Sequence, residues 1–524
     1  MSADRTGEAC KTAVEYSVPM CRKQVVFNML KRLGFAVFAI LAASIAQAQT
    51  VREMITIDLP NDAATLDPHL QWDTDSYSIY RNIFDNLVTR DASGRIVPQI
   101  AESWRQVDDT TITFKIRAGV KFHDGTALTA EDVVFSIRRI IDPALRSPQL
   151  SQFDQIVSAE ATDATTVTMK TKTPYPALMA QLVKLSIVPK AVVERVGAQA
   201  FNLQPVGSGP YKLRTWQRGV GITLDAVQDY WRGRPPFDSA NFRVVPDVAT
   251  RVADLQTGRA DIVRQLGPDE AVRLKSDARL QTLSAPTERI GYMFINAQAG
   301  PTQDVRVRRA IAHAIDRKTL IDALLQGFGK EVDVVLTPAN FGYVEGIGGN
   351  AYDPAKAKAL LREANAVNAS ISFLTSPAYD RRLVEALQQM LQEVGFRVDI
   401  QTMDHPTFLR RRQGRPDEAG SISLGRWSCA CQDADGVIFP LFRSGSIWAK
   451  YANPDFDKEV DAARSTLDEA KRLVHYRRAF EILREDVPGL GLYQDYAIYG
   501  ARREIRWQPT ANEAFFLFDM RWQP

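Results

Sequence analysis

The sequence predicts an α/β fold, because runs with strand period and runs with helix period alternate along most of the chain. Turn residues separate these runs, and no long linker or internal repeat interrupts them. A hydrophobic content of 45% over 524 residues supplies material for more than one core, and 24% charged residues is an ordinary globular share.

In chain order, residues 54–59 alternate as a first strand that breaks at Pro60-Asn61-Asp62. Tyr80, Ile83, Phe84 and Leu87 share one face of an expected helix and read as core. Residues 99–141 are the best specified. Ile112, Phe114 and Ile116 alternate with Thr111, Thr113 and Lys115 as a strand with one buried face, and His123-Asp124-Gly125 makes a turn. Thr129 precedes the acidic Glu131 and Asp132 as an N-cap, and Val133, Val134, Ile137, Ile140 and Ile141 line one side of the helix that follows. Residues 166–171 alternate again, and Ile187 opens a short element. Val206 to Tyr211 holds glycines able to cradle an anion but lacks the Lys and Ser/Thr of a phosphate loop, so a crossover turn is expected. Gly258 is placed to end a helix. Residues 291–296 form a strand, and 304–317 a helix with Ile311 and Ile315 at helical spacing and arginines on a solvated face. Leu383, Leu387, Met390, Leu391 and Val394 recur at helical spacing before Gly395, and Phe396, Val398 and Ile400 form the next strand.

Residues 1–48 read as a leader. Met29, Lys31 and Arg32 open a basic region, an apolar run extends from Leu33 to Ile45, and Ala46-Gln47-Ala48 offers small residues for cleavage before Gln49. The run is short for a bilayer span, and the cleavage point has no Cys for a lipid tether. An exported, soluble chain in the periplasm is expected. The leader holds six basic and three acidic residues, so removing it leaves 59 of each sign and no basic footprint for nucleic acid.

Several stretches go beyond a generic α/β reading. These are AESW, FKIRAGVKFHDG and LTAEDVVFSI within 99–141, the LDP loop at 66–68, GSGPY at 207–211, and DVRVRRAIAHAIDR at 304–317. Together they resemble family 5 extracellular solute-binding proteins, the large periplasmic components of dipeptide, oligopeptide and nickel importers of the ABC type. The resemblance spans nearly the whole mature chain. It implies a two-lobed periplasmic-binding-protein fold of the large type, with an extra subdomain and a ligand cleft between the lobes. The expected division is 49–92, 205–290 and 497–524 for lobe 1, with 93–204 as its extra subdomain, and 291–496 for lobe 2. A monomer that captures a small organic solute, peptide, opine-like or sugar-like, and delivers it to an inner-membrane ABC permease is the implied function.

Specificity is expected in residues 421–435, SISLGRWSCACQDAD. In peptide-binding relatives a Trp here is followed three residues later by an Asp that pairs with the peptide amino terminus. Trp427 matches the Trp, but the third residue on is Ala430. An ammonium buried without its partner loses roughly 3–5 kcal/mol. A linear peptide held through its N-terminus is therefore disfavoured unless Asp433 or Asp435 substitutes. The resemblance marks Trp427, Ser428, Cys429, Asp433 and Asp435 as candidate ligand contacts, with Tyr292 and Asn296 near the lobe crossing and Thr74 and Asp75 behind the first loop. Cys429 and Cys431 are the only cysteines after the leader. Two cysteines so close can join only in a small ring, so packed free thiols are expected. A metal site needs more ligands than these, and the five histidines lack metal spacing with them, so no metal or cofactor is expected. HExxH, GxSxG, Walker A and CxxC patterns are absent, and with them the usual marks of an enzyme. An exported hydrolase and a nickel-complex receptor stand as the alternatives.

Overall fold

The computed structural model describes residues 54–71, 73–91 and 93–523, so the expected leader lies outside the described residues. An eleven-stranded mixed sheet organises the chain. Its spatial order is Arg397–Thr402, Ser370–Thr375, Ile422–Trp427, Leu280–Ile295, Gly489–Arg502, Ile262–Arg264, Met54–Leu59, Ser239–Val244, Gly221–Ala226 and Tyr211–Gln217, with Gly329–Glu331 set beside Gly489–Arg502.

Leu280–Ile295 and Gly489–Arg502 are much longer than their neighbours, at 16 and 14 residues, and pair antiparallel along most of their length. Their register shifts between Pro286 and Ile290 and again between Gly291 and Tyr292. On one side of these shifts Leu280 and Ile498 join a core with Leu255, Ala271 and Leu274. On the other side Met293, Ile295, Leu490 and Leu492 join Val307, Ile311 and Leu387. A separate four-stranded antiparallel sheet, ordered Ala101–Asp108, Thr111–Ile116, Thr166–Thr171 and Ile156–Asp163, has its own apolar core. The helix Ala130–Ile140 buries Val133, Ile137 and Ile140 in that core. Asp132 accepts the Thr129 backbone N–H at 2.9 Å, which makes the reciprocal half of a capping box.

Several expectations change against the structure. Residues 54–59 form a strand but do not alternate: Ile55 to Leu59 are all buried. The strand has parallel neighbours on both sides, and a central strand covered on both faces has no solvent side to alternate with. Tyr80, Ile83, Phe84 and Leu87 are all fully buried, yet they do not share a helix, because Thr74–Tyr80 ends with Arg81 as its C-cap. The expected helix over 304–317 is two helices. Val305–Ala314 stops where Ile315 turns extended, and Asp316 caps Arg317–Leu324 by accepting the Thr319 N–H. Its arginines are not all solvated. Arg308 is buried against the carbonyls of Thr302, Gln303 and Asp486, and Arg317 is buried against Glu331.

The GSGPY segment is a close backbone crossing. The Gly209 N–H donates to the Ile83 carbonyl at 2.8 Å, and a Cβ on Gly207 would sit 2.0 Å from that oxygen. We expect Gly207→Ala to lower stability by about 1–3 kcal/mol or more, read as a shift in the urea midpoint with the slope unchanged.

Candidate ligand cleft

Trp427 ends the strand Ile422–Trp427, which lies antiparallel on Leu280–Ile295 with Trp427 opposite Ile290. Its indole N–H donates to the Gly436 carbonyl at 2.9 Å, and its ring meets the Trp448 ring edge-on at 5.4 Å. The chain then turns sharply. The Gln432 N–H returns to the Cys429 carbonyl at 2.8 Å, and Gln432 takes a left-handed conformation with φ 51°. Cys429 and Cys431 are joined as a disulfide, with Cα atoms 5.0 Å apart, which corrects the expectation of free thiols. The tight turn supplies the geometry that spacing alone argued against. The bridge packs on Gly436, where any Cβ would lie 2.3 Å from the Cys429 sulfur. Gly436 sits in the first turn of the helix Asp435–Phe442.

The two candidate aspartates part company here. Asp433 is fully committed: Arg472 donates to both of its oxygens at 2.9 and 3.0 Å, and the Tyr476 hydroxyl adds a bond at 3.2 Å. Both partners of this pair are buried. Asp435 instead lines a cavity of about 690 Å³, with Arg464 at 3.6 Å. Burial pushes its carboxyl up to about 6, partly opposed by Arg464.

Trp427, Ser428, Cys429, Ala430 and Asp435 form one wall of this cavity, and Asp73, Thr74 and Tyr77 line it from the start of the helix Thr74–Tyr80. Tyr175, Gln181 and Lys184 come from the segment after the four-stranded sheet. Lys184 is buried, bonds the Gln152 side chain and lies 5.9 Å from the Phe153 ring; burial lowers its ammonium to about 7. Glu288 and Arg289 reach the cavity from the register shift of the long strand pair.

Asp73, Thr74 and Arg289 also line a second cavity of about 580 Å³, so the two spaces adjoin. Its wall is a chain of ion pairs. Arg289 holds Glu513 at 2.8 Å, Arg264 reaches Glu513 at 3.4 Å, and Arg264 also pairs with Asp75. Arg426 and Asp495 form another pair in the same wall.

Of the candidate contacts, Trp427, Ser428, Cys429, Asp435 and Thr74 thus meet in the first cavity and Asp75 in the second. Asp433, Tyr292 and Asn296 line neither. Tyr292 is buried with its ring against Gly425, where a Cβ would come within 2.3 Å of it. Asn296 is a backbone clasp, donating to the Pro416 and Gly420 carbonyls at 2.7 and 2.9 Å and accepting the Gln298 N–H at 3.0 Å. Sequence reasoning missed Lys184, Glu288, Arg289 and Arg464. Glu288-Arg289 left a readable trace, a charged pair immediately before the apolar strand run that starts at Ile290. Among the described residues no group of three or more His, Cys, Asp or Glu is placed to hold a metal ion, and no helix is long and apolar enough to cross a membrane.

Arg472→Ala strips Asp433 of its partner and is expected to cost about 3–5 kcal/mol of stability, measured by chemical denaturation. Maleimide labelling of a chain lacking residues 1–48, unfolded without reductant, is expected to modify no cysteine; after reduction it modifies Cys429 and Cys431.

Residues 95–471 match the family described as bacterial extracellular solute-binding proteins, family 5 middle. The glutathione-binding protein GsiB of Escherichia coli (strain K12) is 28% identical over 477 residues, covering 88% of this chain and 93% of that protein. The substrate-binding protein CtaP of Listeria monocytogenes superposes with a TM-score of 0.83 at 24% identity, over 90% of this chain and all of that one. DppA of Helicobacter pylori, solved in complex with the peptide STSA, gives 0.76 at 24% identity, over 91% and 99%. These likenesses bear out the mixed α/β periplasmic-binding-protein fold. The chain belongs to the family 5 bacterial extracellular solute-binding proteins, a family of non-enzymatic substrate-binding components of ABC transporters.

Proposed function

We propose that this protein works in the periplasm, captures a short peptide-like solute of the glutathione class, and hands it to an inner-membrane ABC permease. The observation that carries this reading is the pair of adjoining cavities, whose walls interleave acidic and basic side chains, with Trp427 in the wall of the first. A zwitterion needs both signs of charge at separated points, together with an apolar face for its backbone and side chains. A neutral sugar needs neither sign. The name of the relative GsiB and the peptide bound to DppA point to the same chemistry.

Capture proceeds by closure of two lobes, 49–92, 205–290 and 497–524 with the subdomain 93–204 on one side and 291–496 on the other. The register shifts between Pro286 and Tyr292 supply a bending point in the strands that join them. Ligand selects the closed state to the extent that it binds that state better than the open one.

Isothermal titration with glutathione and with di- to tetrapeptides is expected to give micromolar or tighter binding, together with a smaller radius of gyration in solution scattering. Trp427→Ala is expected to weaken this binding about tenfold or more, as loss of a central aromatic contact does. Tight binding of a neutral sugar, with no response to any peptide, sinks the reading.

A further inference from the structure

The first cavity is lined by four carboxylates, Asp73, Asp154, Glu288 and Asp435. Asp73 is occupied by the N–H groups of Asp75 and Ser76 and by the Ser76 hydroxyl. Asp154 accepts from the exposed Gln155 side chain, and Asp435 has Arg464. Glu288 differs from all three. It is 5% exposed, and its Oε2 is buried with no hydrogen-bond partner.

The charged groups that act on Glu288 have partners of their own, although the Arg90 Nε is buried without one. Arg289 gives its guanidinium to Glu513, Arg90 donates to the carbonyls of Gly94 and Cys431, and Glu513 is itself an acid. A buried carboxyl left short of a donor costs free energy that a suitable guest recovers. The torsion that carries its two oxygens is soft, so either can turn to the cavity.

We propose that Glu288 is the ammonium subsite of the cleft, seating the amino group of an amino-acid or peptide ligand beside the Trp427 strand end, two residues from its ladder partner Ile290, in place of an acid at position 430. The choice of glutathione as a probe rests on the peptide-like reading above; the subsite itself requires only an ammonium group.

In the empty cleft, burial first and then Glu513 push the Glu288 carboxyl up to about 8, so it is neutral at pH 7. An arriving ammonium favours the ionised form, and the carboxyl proton passes to solvent as the ion pair forms. No other bond is made or broken. Affinity therefore climbs by up to about tenfold per pH unit below neutrality. It levels near pH 8 and falls above it, where the free α-amino group of the ligand, with an ordinary value of about 8, loses its own proton.

The test uses the full mature chain and three probes, each with its N-acetylated form: glutathione, trialanine and glycinamide, which carries the ammonium without a carboxylate. Titration at pH 7 in phosphate and in HEPES is expected to show release of close to one proton per ligand, and about tenfold or greater loss on N-acetylation. Glu288→Gln is expected to abolish the proton release, flatten the rise of affinity with pH and leave the N-acetyl probes unaffected. The acetylated probes on the unaltered chain give the same comparison if the variant folds poorly. Glycinamide decides the subsite: absence of stabilisation by it, or stabilisation equal in the Glu288→Gln variant, overturns the proposal. Silence from both glutathione and trialanine with a response to glycinamide overturns the peptide-like reading alone.

Discussion

The antiparallel pairing of Leu280–Ile295 with Gly489–Arg502 is the constraint on which the other parts depend. The pairing joins residues about two hundred positions apart, so the cores at its two ends are assembled by one ladder. Strand Ile422–Trp427 takes its position from that ladder, and through it so do Trp427 and the turn that follows. Glu288 and Arg289 fall in the unpaired step of that ladder, between Pro286 and Ile290. The cleft residues are therefore placed by a long-range hydrogen-bonded frame and not by local propensity. Such frames close slowly, because loop entropy is lost before contacts return it.

Buried charge is distributed unevenly around this frame. Asp433 with Arg472 and Tyr476 is saturated, and so behaves as structure. Such pairs add little net stability over an apolar substitute but punish the loss of one partner, so they hold a geometry more than they strengthen it. The Asp75–Arg264–Glu513–Arg289 chain keeps partly open to the second cavity. The saturated Asp433 lies outside both cavities, whereas Glu288, with an unpartnered oxygen, lines the first.

Local structure was legible in the sequence wherever one residue type does one job. Thr129 caps its helix, and Gly258 and Gly395 end theirs in left-handed conformations. The helix expected through Leu87 stopped at Tyr80, because apolar spacing alone does not distinguish a helix face from a buried turn. The helix expected over 304–317 broke because Asp316 serves better as the cap of a second helix than as the interior of the first. The candidate site was legible in part. The stretch around Trp427 could be found because it is contiguous, but Asp433 and Asp435 differ only in where the helix begins and which arginine arrives from residues 464 and 472. Glu288 and Arg289 reach the cavity from the strand that pairs with Ile422–Trp427, and Lys184 from the turn after the helix Leu178–Leu182, all far from Trp427 in sequence.

The disulfide carries a consequence for how the protein matures. A chain still held in a reducing cytosol keeps Cys429 and Cys431 as thiols, and the cavity wall that contains Cys429 then lacks its covalent clip. Oxidation outside that compartment closes the clip against Gly436 and sets the bend between Trp427 and the helix that begins at Asp435. Closure of this one small ring is thus what fixes the stretch of wall beside Trp427.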